Sequence, residues 1–166
     1  WPERLQVIVG IPGGPRTFDI TIGRGETEVP EAAGLPTPAW VLPVGRGLGY
    51  GFFDLDPTTI DYLATSLHEI GDPLTRGAAL VALWESMLEG AVAPSRVLKE
   101  LMVALPGEKD ELNVQQQLDY LRTAFWRFTP ADDRMTLAPG IEKLLHAGLD
   151  RAASTSAKAA WFGALR

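Results

Sequence analysis

The hydrophobic period of the sequence changes near Asp56, and this change constrains the fold more than any other feature. Before it, the stretches LQVIV and RTFDITI carry apolar side chains at alternate positions, which is typical of half-buried strands. After it, apolar residues recur at spacings of three and four, as they do on one face of a helix. The chain is therefore predicted to be an α+β protein in which the strands precede the helices.

Four short strands are predicted in residues 1–55. LQVIV and RTFDITI supply two of them, and GIPGGPR between them has the glycine and proline content of a hairpin connection. AWVLPV and YGFFDL supply the other two. These strands predict a small antiparallel β half-sandwich, and the abrupt start in a strand indicates a piece of a longer polypeptide whose remaining strands precede Trp1.

Proline-containing pairs mark the expected helix starts. Asp56-Pro57 and Asp72-Pro73 each combine an N-cap carboxylate with a proline in the first turn, where its missing N–H costs nothing. Three further pairs offer starts of the same kind: Ala93-Pro94, Thr129-Pro130 and Ala138-Pro139. Five or six helices with short links predict an α-helical hairpin bundle or a solenoid of the HEAT or armadillo kind. The domains are accordingly predicted to be 1–55 and 56–166.

Apolar stripes define the expected buried faces of two helices. The second helix is expected to bury Leu74, Ala78, Val81, Leu83, Trp84 and Leu88. The fourth helix, NVQQQLDYLRTAFWRF, is expected to align Val114, Leu118, Leu121, Phe125 and Phe128 on one stripe.

Composition excludes several classes of function. A net charge of −6, without a run of Lys or Arg, argues against a nucleic-acid surface. The apolar stretches are too short for a membrane span. The chain has no cysteine, so disulfides and thiolate metal sites are excluded.

The glycine-rich stretch GRGLGYGFFDLD, residues 45–56, does not match a phosphate-binding loop. In the dinucleotide fingerprint G-x-G-x-x-G, the third glycine would fall on Tyr50 or Phe52. A Gly-Lys-Ser/Thr triplet is also absent from the sequence. The glycines are better explained by a tight connection to a buried strand, where the backbone needs conformational freedom.

The sequence does not assemble a catalytic or metal site. His68-Glu69 begins like the zinc motif H-E-x-x-H, but Asp72 stands where the second histidine is required, and His146 belongs to a different helix. Asp54 and Asp56 form one of several carboxylate pairs, of which Asp56 is explained as an N-cap. A G-x-S-x-G elbow is absent. The chain by itself is therefore expected to be no catalyst and to hold no zinc.

One helical flank offers a candidate binding patch. Asp119, Arg122 and Trp126 share this flank, and Arg127 follows. One interpretation is a surface ion pair beside a half-buried Trp; the other is a patch of Arg and Trp that faces a ligand. An arginine in such a patch could bind the C-terminal carboxylate of a peptide through two parallel hydrogen bonds.

The stretch PAWVLPVGRGLGYGFFDLD resembles the junction between the β-sandwich and the helical C-terminal domain in zinc aminopeptidases of the aminopeptidase N and endoplasmic-reticulum aminopeptidase type. The matching positions are Trp40, Pro43, Gly49, Tyr50, Phe52, Asp54 and Asp56. DPLTRGAALVALWESMLEG is similar to the family's next landmark, with Asp72 and Arg76 at the matching positions. The resemblance covers about residues 36–166, and the helix order is similar to that of the bacterial members.

The resemblance implies a non-catalytic C-terminal part of a zinc aminopeptidase that caps the active-site cavity and shapes peptide access. It assigns zinc, and the H-E-x-x-H helix that binds it, to an upstream catalytic domain of the same polypeptide, with no cofactor in this part. Its partners would be that domain and a peptide substrate. Structural roles at the junction are expected for Trp40, Tyr50, Phe52, Asp54 and Arg76, and Asp54 is expected near Arg76. The cavity candidates are Arg122, Trp126 and Arg127.

Two other classes of protein remain open. A free-standing helical adaptor would bind a peptide or protein on a concave face that carries aromatic and charged anchors. The third class is an oligomerisation module.

Overall fold

The computed structural model describes residues 3–43 and 51–166. The described residues form three β-strands: β1 Glu3–Gly10, β2 Arg16–Ile22 and β3 Trp40–Leu42. Six α-helices follow: α1 Pro57–Ser66, α2 Pro73–Leu88, α3 Pro94–Ala104, α4 Glu111–Thr123, α5 Ala131–Arg151 and α6 Thr155–Leu165. Short 3-10 turns cover Pro30–Ala32 and Leu67–Glu69, and a π-helical segment covers Ala124–Phe128. The predicted α+β class is confirmed, with an antiparallel sheet followed by helices.

The three strands form one antiparallel sheet in the order β2-β1-β3. The hairpin between β1 and β2 is confirmed, and its turn contains Gly13 and Gly14 at φ values of 93° and 117°, which favour glycine. In β2, Phe18, Ile20 and Ile22 are half-buried while the residues between them are exposed, as the alternation predicts. The centre of the sheet is therefore β1, which pairs with both neighbours.

The predicted fourth strand, YGFFDL, is wrong for its described residues. Residues 51–55 form no strand; Tyr50 lies outside the described residues. Leu55 is buried, but Phe52 is 57% exposed, so Phe52 is not packed into a core as it would be in a buried strand. The side chain of Asp56 accepts a hydrogen bond from the Thr59 amide, and this N-cap commits the end of the segment to a helix start.

The proline pairs predict most helix starts correctly. α1, α2 and α3 begin at Pro57, Pro73 and Pro94, and the carboxylates of Asp56 and Asp72 cap the first two. At Thr129-Pro130 the helix begins one residue later, with Pro130 as the N-cap.

A helix start at Ala138-Pro139 is wrong, because Pro139 lies inside α5. A proline inside a helix removes the hydrogen bond to the carbonyl four residues earlier, here that of Met135, and its ring crowds the same carbonyl. Met135 is 72% exposed and Pro139 is exposed, so this stretch of α5 lies at the surface, where a carbonyl can tilt toward solvent. The helix therefore continues through the proline.

The apolar stripe of the fourth helix is confirmed over its first half only. Val114, Leu118 and Leu121 are buried, but Phe125 is half-buried and Phe128 is 39% exposed. From Ala124 the chain turns as a π-helix, which needs more residues per turn and therefore rotates the following side chains away from the stripe. The wider turn ends where the hydroxyl of Thr129 donates to the carbonyl of Ala124 over 2.9 Å.

The stripe assigned to α2 is rotated relative to the observed buried face. Leu83 and Trp84 are buried as expected, but Leu74, Val81 and Leu88 are exposed. The residues that α2 buries instead include Ala79, Leu80, Ala82 and Met87. Because α2 is apolar on most of its circumference, periodicity alone did not select the correct face.

The chain divides into two compact units, Trp1–Ala91 and Val92–Arg166. In the first unit α1 packs against β3 and α2, and its deepest residues include Leu42, Leu63, Leu67 and Leu80. In the second unit α4 packs against α3 and α6, and α5 packs against α6. The deepest residues of this unit include Val97, Leu101, Leu121 and Ala124.

The division into domains 1–55 and 56–166 and the solenoid type stay predictions. None of the described helices is both long and apolar enough to cross a membrane.

Candidate functional site

A groove with a volume of about 720 Å³ lies in the second unit, between α4 and α6. The α4 wall carries longer side chains, among them Leu112, Gln116 and Arg122, whereas the α6 wall carries small residues such as Ala160 and Gly163. Small residues on one wall leave space that a ligand or a side chain from another segment can occupy. We call this feature the α4–α6 groove.

The start of α6 is held against α4 by a carboxylate. Glu111, in the first turn of α4, accepts a hydrogen bond from the Ser154 hydroxyl over 2.8 Å and another from the Ser156 hydroxyl over 2.9 Å. Ser154 also caps α6 by accepting from the Ala157 amide over 3.0 Å. These bonds set the position of one end of the groove.

Arg122 and Asp119 form an ion pair in the α4–α6 groove. The distance from Arg122 Nη2 to Asp119 Oδ1 is 3.1 Å, and the side chains are 50% and 62% exposed. An exposed pair at this spacing contributes only about 0.3–0.5 kcal/mol, so a stronger anionic ligand can take the guanidinium from Asp119. Chemically, the groove offers a cation with unused donors, two glutamine amides at Gln115 and Gln116, and the exposed apolar side chain of Leu112.

The three predicted cavity candidates do not all reach this groove. Arg122 lines the α4–α6 groove, but Trp126 and Arg127 are not among its lining residues. Both belong to the π-helical segment, which changes their direction relative to α4. Trp126 is 61% exposed and meets the Phe125 ring edge-on, with 5.0 Å between ring centroids.

Trp126 has a second partner, Arg134, that the sequence did not identify. The Arg134 guanidinium lies 5.7 Å from the centroid of the Trp126 ring, a cation–π contact. The same side chain donates to the carbonyls of Trp126 and Thr129 over 3.2 and 2.9 Å. Helical spacing of three or four residues could not pair positions 126 and 134, because the π turn and the start of α5 intervene.

The sheet and the first helix are joined by a threonine that is fully buried in the first unit. The Thr59 hydroxyl accepts from the Val41 amide of β3 over 2.8 Å and donates to the Asp56 carboxylate over 2.6 Å. The Thr59 amide donates to the other Asp56 oxygen over 3.0 Å. Burial tends to raise the pKa of Asp56, but the hydrogen bonds from Thr59 and Thr58 outweigh it and lower the pKa below its ordinary value.

The predicted junction residues lie in different environments. Trp40 is 5% exposed and pairs with Gly10 across the sheet, whereas Phe52 and Asp54 are exposed.

Arg76 donates to the carbonyls of Ile70 and Gly71, and within the described residues no hydrogen bond or ion pair joins it to Asp54. Tyr50 lies outside the described residues. The sequence does not predict the bridge through Thr59, because Val41 and Thr59 are distant in the chain.

Among residues 3–43 and 51–166, no cluster of three or more His, Cys, Asp or Glu side chains is arranged to hold a metal ion. His68 lies in the 3-10 turn Leu67–Glu69, outside a regular α-helix.

No protein-family model matches the chain, and no curated protein sequence matches it.

Proposed function

We propose that this chain is a non-catalytic part of a zinc aminopeptidase, in which the helices limit the access of peptides to a catalytic site elsewhere in the polypeptide. The observation that carries the proposal is the bridge from Val41 through Thr59 to Asp56. It joins β3 to α1 and connects two residues of the stretch that resembles the aminopeptidase junction, Val41 and Asp56, through Thr59, which follows that stretch. In this role the junction residues hold the first helix in place on the sheet, and the catalytic domain carries out the hydrolysis.

The α4–α6 groove supplies the peptide contact in this proposal. Arg122 would exchange Asp119 for the C-terminal carboxylate of an oligopeptide, since a guanidinium can bind a carboxylate through two parallel hydrogen bonds. Leu112, which is 75% exposed, offers apolar contact for a peptide side chain. Substrates of a single residue with a chromogenic leaving group carry no such carboxylate and would not use the groove.

The test of the proposal uses the protein made from the complete reading frame that contains this chain. We expect that protein to bind one zinc ion tightly and to hydrolyse aminoacyl chromogenic substrates, and we expect the 166-residue chain alone to do neither. Metal analysis after dialysis and a hydrolysis assay measure both properties. A complete protein without zinc and without hydrolysis, or a 166-residue chain with tightly bound zinc, would contradict the proposal.

In the complete enzyme, Arg122→Ala is expected to raise KM for oligopeptides about fivefold and to leave KM for single-residue substrates unchanged. Arg127→Ala is the matched control, because Arg127 is an exposed arginine that does not line the α4–α6 groove. Steady-state kinetics on both substrate types measure the effects. An unchanged KM for oligopeptides in Arg122→Ala would remove Arg122 from peptide binding.

A free-standing peptide-binding adaptor is the second candidate, and the α4–α6 groove is the observation that favours it. An adaptor would bind an oligopeptide with the 166-residue chain alone, and a C-terminal amide on that peptide would weaken binding. Fluorescence anisotropy with a labelled oligopeptide and its C-terminal amide measures this binding. The aminopeptidase proposal is distinguished from the adaptor by a second criterion, since its reading frame must also encode the zinc motif.

A further inference from the structure

The first unit contains a cavity of about 310 Å³ that the proposed function does not use. It lies between the turn after β1, the start of β3 and the start of α2, and its lining includes Pro12, Pro15, Trp40, Tyr62, Glu69 and Ile70. We call it the Trp40 cavity. Its volume is at the lower end of the range for ligand pockets, about 300–1,000 Å³, so a group the size of one side chain fits it.

Two aromatic rings at the Trp40 cavity have defined positions. The Trp40 ring lies directly against Gly10, because a Cβ atom at that position would be 2.1 Å from Trp40 Cε2. The Tyr62 ring is next to it, with 6.2 Å between ring centroids and 37° between ring planes. Aromatic faces attract cations through the ring quadrupole, and a ring that is already fixed loses little entropy when a ligand binds.

The charges at the Trp40 cavity also favour a cation. Its described lining includes two carboxylates, Glu69 and Asp72, and no Lys or Arg. Asp72 is engaged as the N-cap of α2, where it accepts from the amide and the hydroxyl of Thr75 over 2.8 and 2.6 Å. Glu69 is exposed, and no hydrogen bond or ion pair joins its carboxylate to another described residue.

Arg76 lies beside the Trp40 cavity and binds the backbone of its wall. Its guanidinium donates to the carbonyls of Ile70 and Gly71, two residues of the cavity wall, and so holds that wall in place. An anionic ligand is disfavoured, because Asp72 already occupies the start of α2, where an anion would otherwise bind.

We propose that the Trp40 cavity binds a basic side chain, either a lysine ammonium or an arginine guanidinium, of a peptide or protein. The aliphatic part of that side chain would lie along Pro12, Pro15 and Ile70, its cationic end would meet the rings of Trp40 and Tyr62, and Glu69 would neutralise its charge. This proposal is independent of the aminopeptidase role, because it rests only on residues of the first unit.

The test is an NMR titration of the 166-residue chain with Nα-acetyl-arginine amide and with Nα-acetyl-lysine amide. The neutral control ligand is Nα-acetyl-norleucine amide, which keeps an aliphatic stem and lacks the charge. We expect the indole N–H resonance of Trp40 to shift and saturate with at least one basic ligand, and the neutral ligand to bind at least about fivefold more weakly.

Two variants test the assignment of the contacts. Glu69→Gln is expected to weaken binding of the basic ligand about fivefold, and Glu142→Gln, an exposed glutamate of α5 in the second unit, is expected to leave it unchanged. Tyr62→Leu keeps an apolar side chain but removes the ring, and is also expected to weaken binding. Equal affinity for the neutral ligand, unchanged affinity in Glu69→Gln, or no shift of the Trp40 resonance up to about 50 mM ligand would each overturn the proposal.

Discussion

Replacing Gly148 with alanine is expected to lower the free energy of unfolding of the second unit by about 2 kcal/mol. Gly148 is buried in α5 where Trp161 of α6 packs against it, and a Cβ atom would lie 2.3 Å from two atoms of the Trp161 ring. Trp161 is 6% exposed, so its ring has little free space to move into. Overpacking of about 3 kcal/mol would be offset only in part by the gain of about 1 kcal/mol in helix propensity.

Gly140→Ala in the same helix is the matched control, and its effect is expected to have the opposite sign. A Cβ atom there would meet only the flexible end of Met102, at 3.5 Å. Without a clash, alanine should stabilise α5 by about 0.5–1 kcal/mol. Urea denaturation, fitted with a separate transition for each unit, measures both changes. If both variants stabilised the second unit, the packing of Trp161 on Gly148 would be wrong.

Thr59→Val is expected to lower the free energy of unfolding of the first unit by about 2–3 kcal/mol. Valine has nearly the same shape as threonine, but it cannot accept from the Val41 amide or donate to Asp56. The variant therefore loses a hydrogen bond to a carboxylate and leaves the Val41 N–H of β3 without its partner. Thr65→Val is the control, since Thr65 is exposed and bonds only to carbonyls of its own helix; its effect should stay within about 0.5 kcal/mol.

The effect of Thr59→Val should also depend on pH. The lowered pKa of Asp56 in the folded protein contributes stability above the pKa that Asp56 has in the unfolded chain, and this contribution is lost as pH falls through the lower folded value. Without the Thr59 hydroxyl the pKa of Asp56 should rise, so the difference in stability between the two proteins should narrow in acid. A difference that stays constant from neutral pH to below the folded pKa would show that Asp56 is not part of the effect.

The features that the sequence predicted well depend on neighbouring residues. Asp56-Pro57 and Asp72-Pro73 begin helices because the cap, the proline and the first-turn amide lie within four positions of one another. The alternation in β2 also succeeded, because one face of that strand is exposed and the other half-buried. These signals need no knowledge of the rest of the molecule.

The features that the sequence predicted poorly depend on distant residues or on small departures from ideal geometry. The Trp40 cavity combines residues from Gly10 to Thr75, and the Val41–Thr59 bond joins a strand to a helix. No short sequence motif identifies either the cavity or this bond. The pair Ala138-Pro139 predicts a helix start by a local rule, but the exposed part of α5 tolerates a proline in its interior. Of the candidate site, the Arg122–Asp119 pair was expected from its helical spacing, whereas the small residues of α6 opposite it were not.

The π-helical segment Ala124–Phe128 has a consequence for how this chain can change in length. A π turn contains about one residue more than an α-helical turn, and here it forms the last turn that continues α4 before the chain becomes extended at Thr129. A deletion of one codon in this segment should therefore return the chain to α-helical phase and turn Phe125 and Phe128 toward the stripe of Leu118 and Leu121. We expect related chains to differ by one residue here more readily than within α4, and the shorter ones to lose the contact between Trp126 and Arg134.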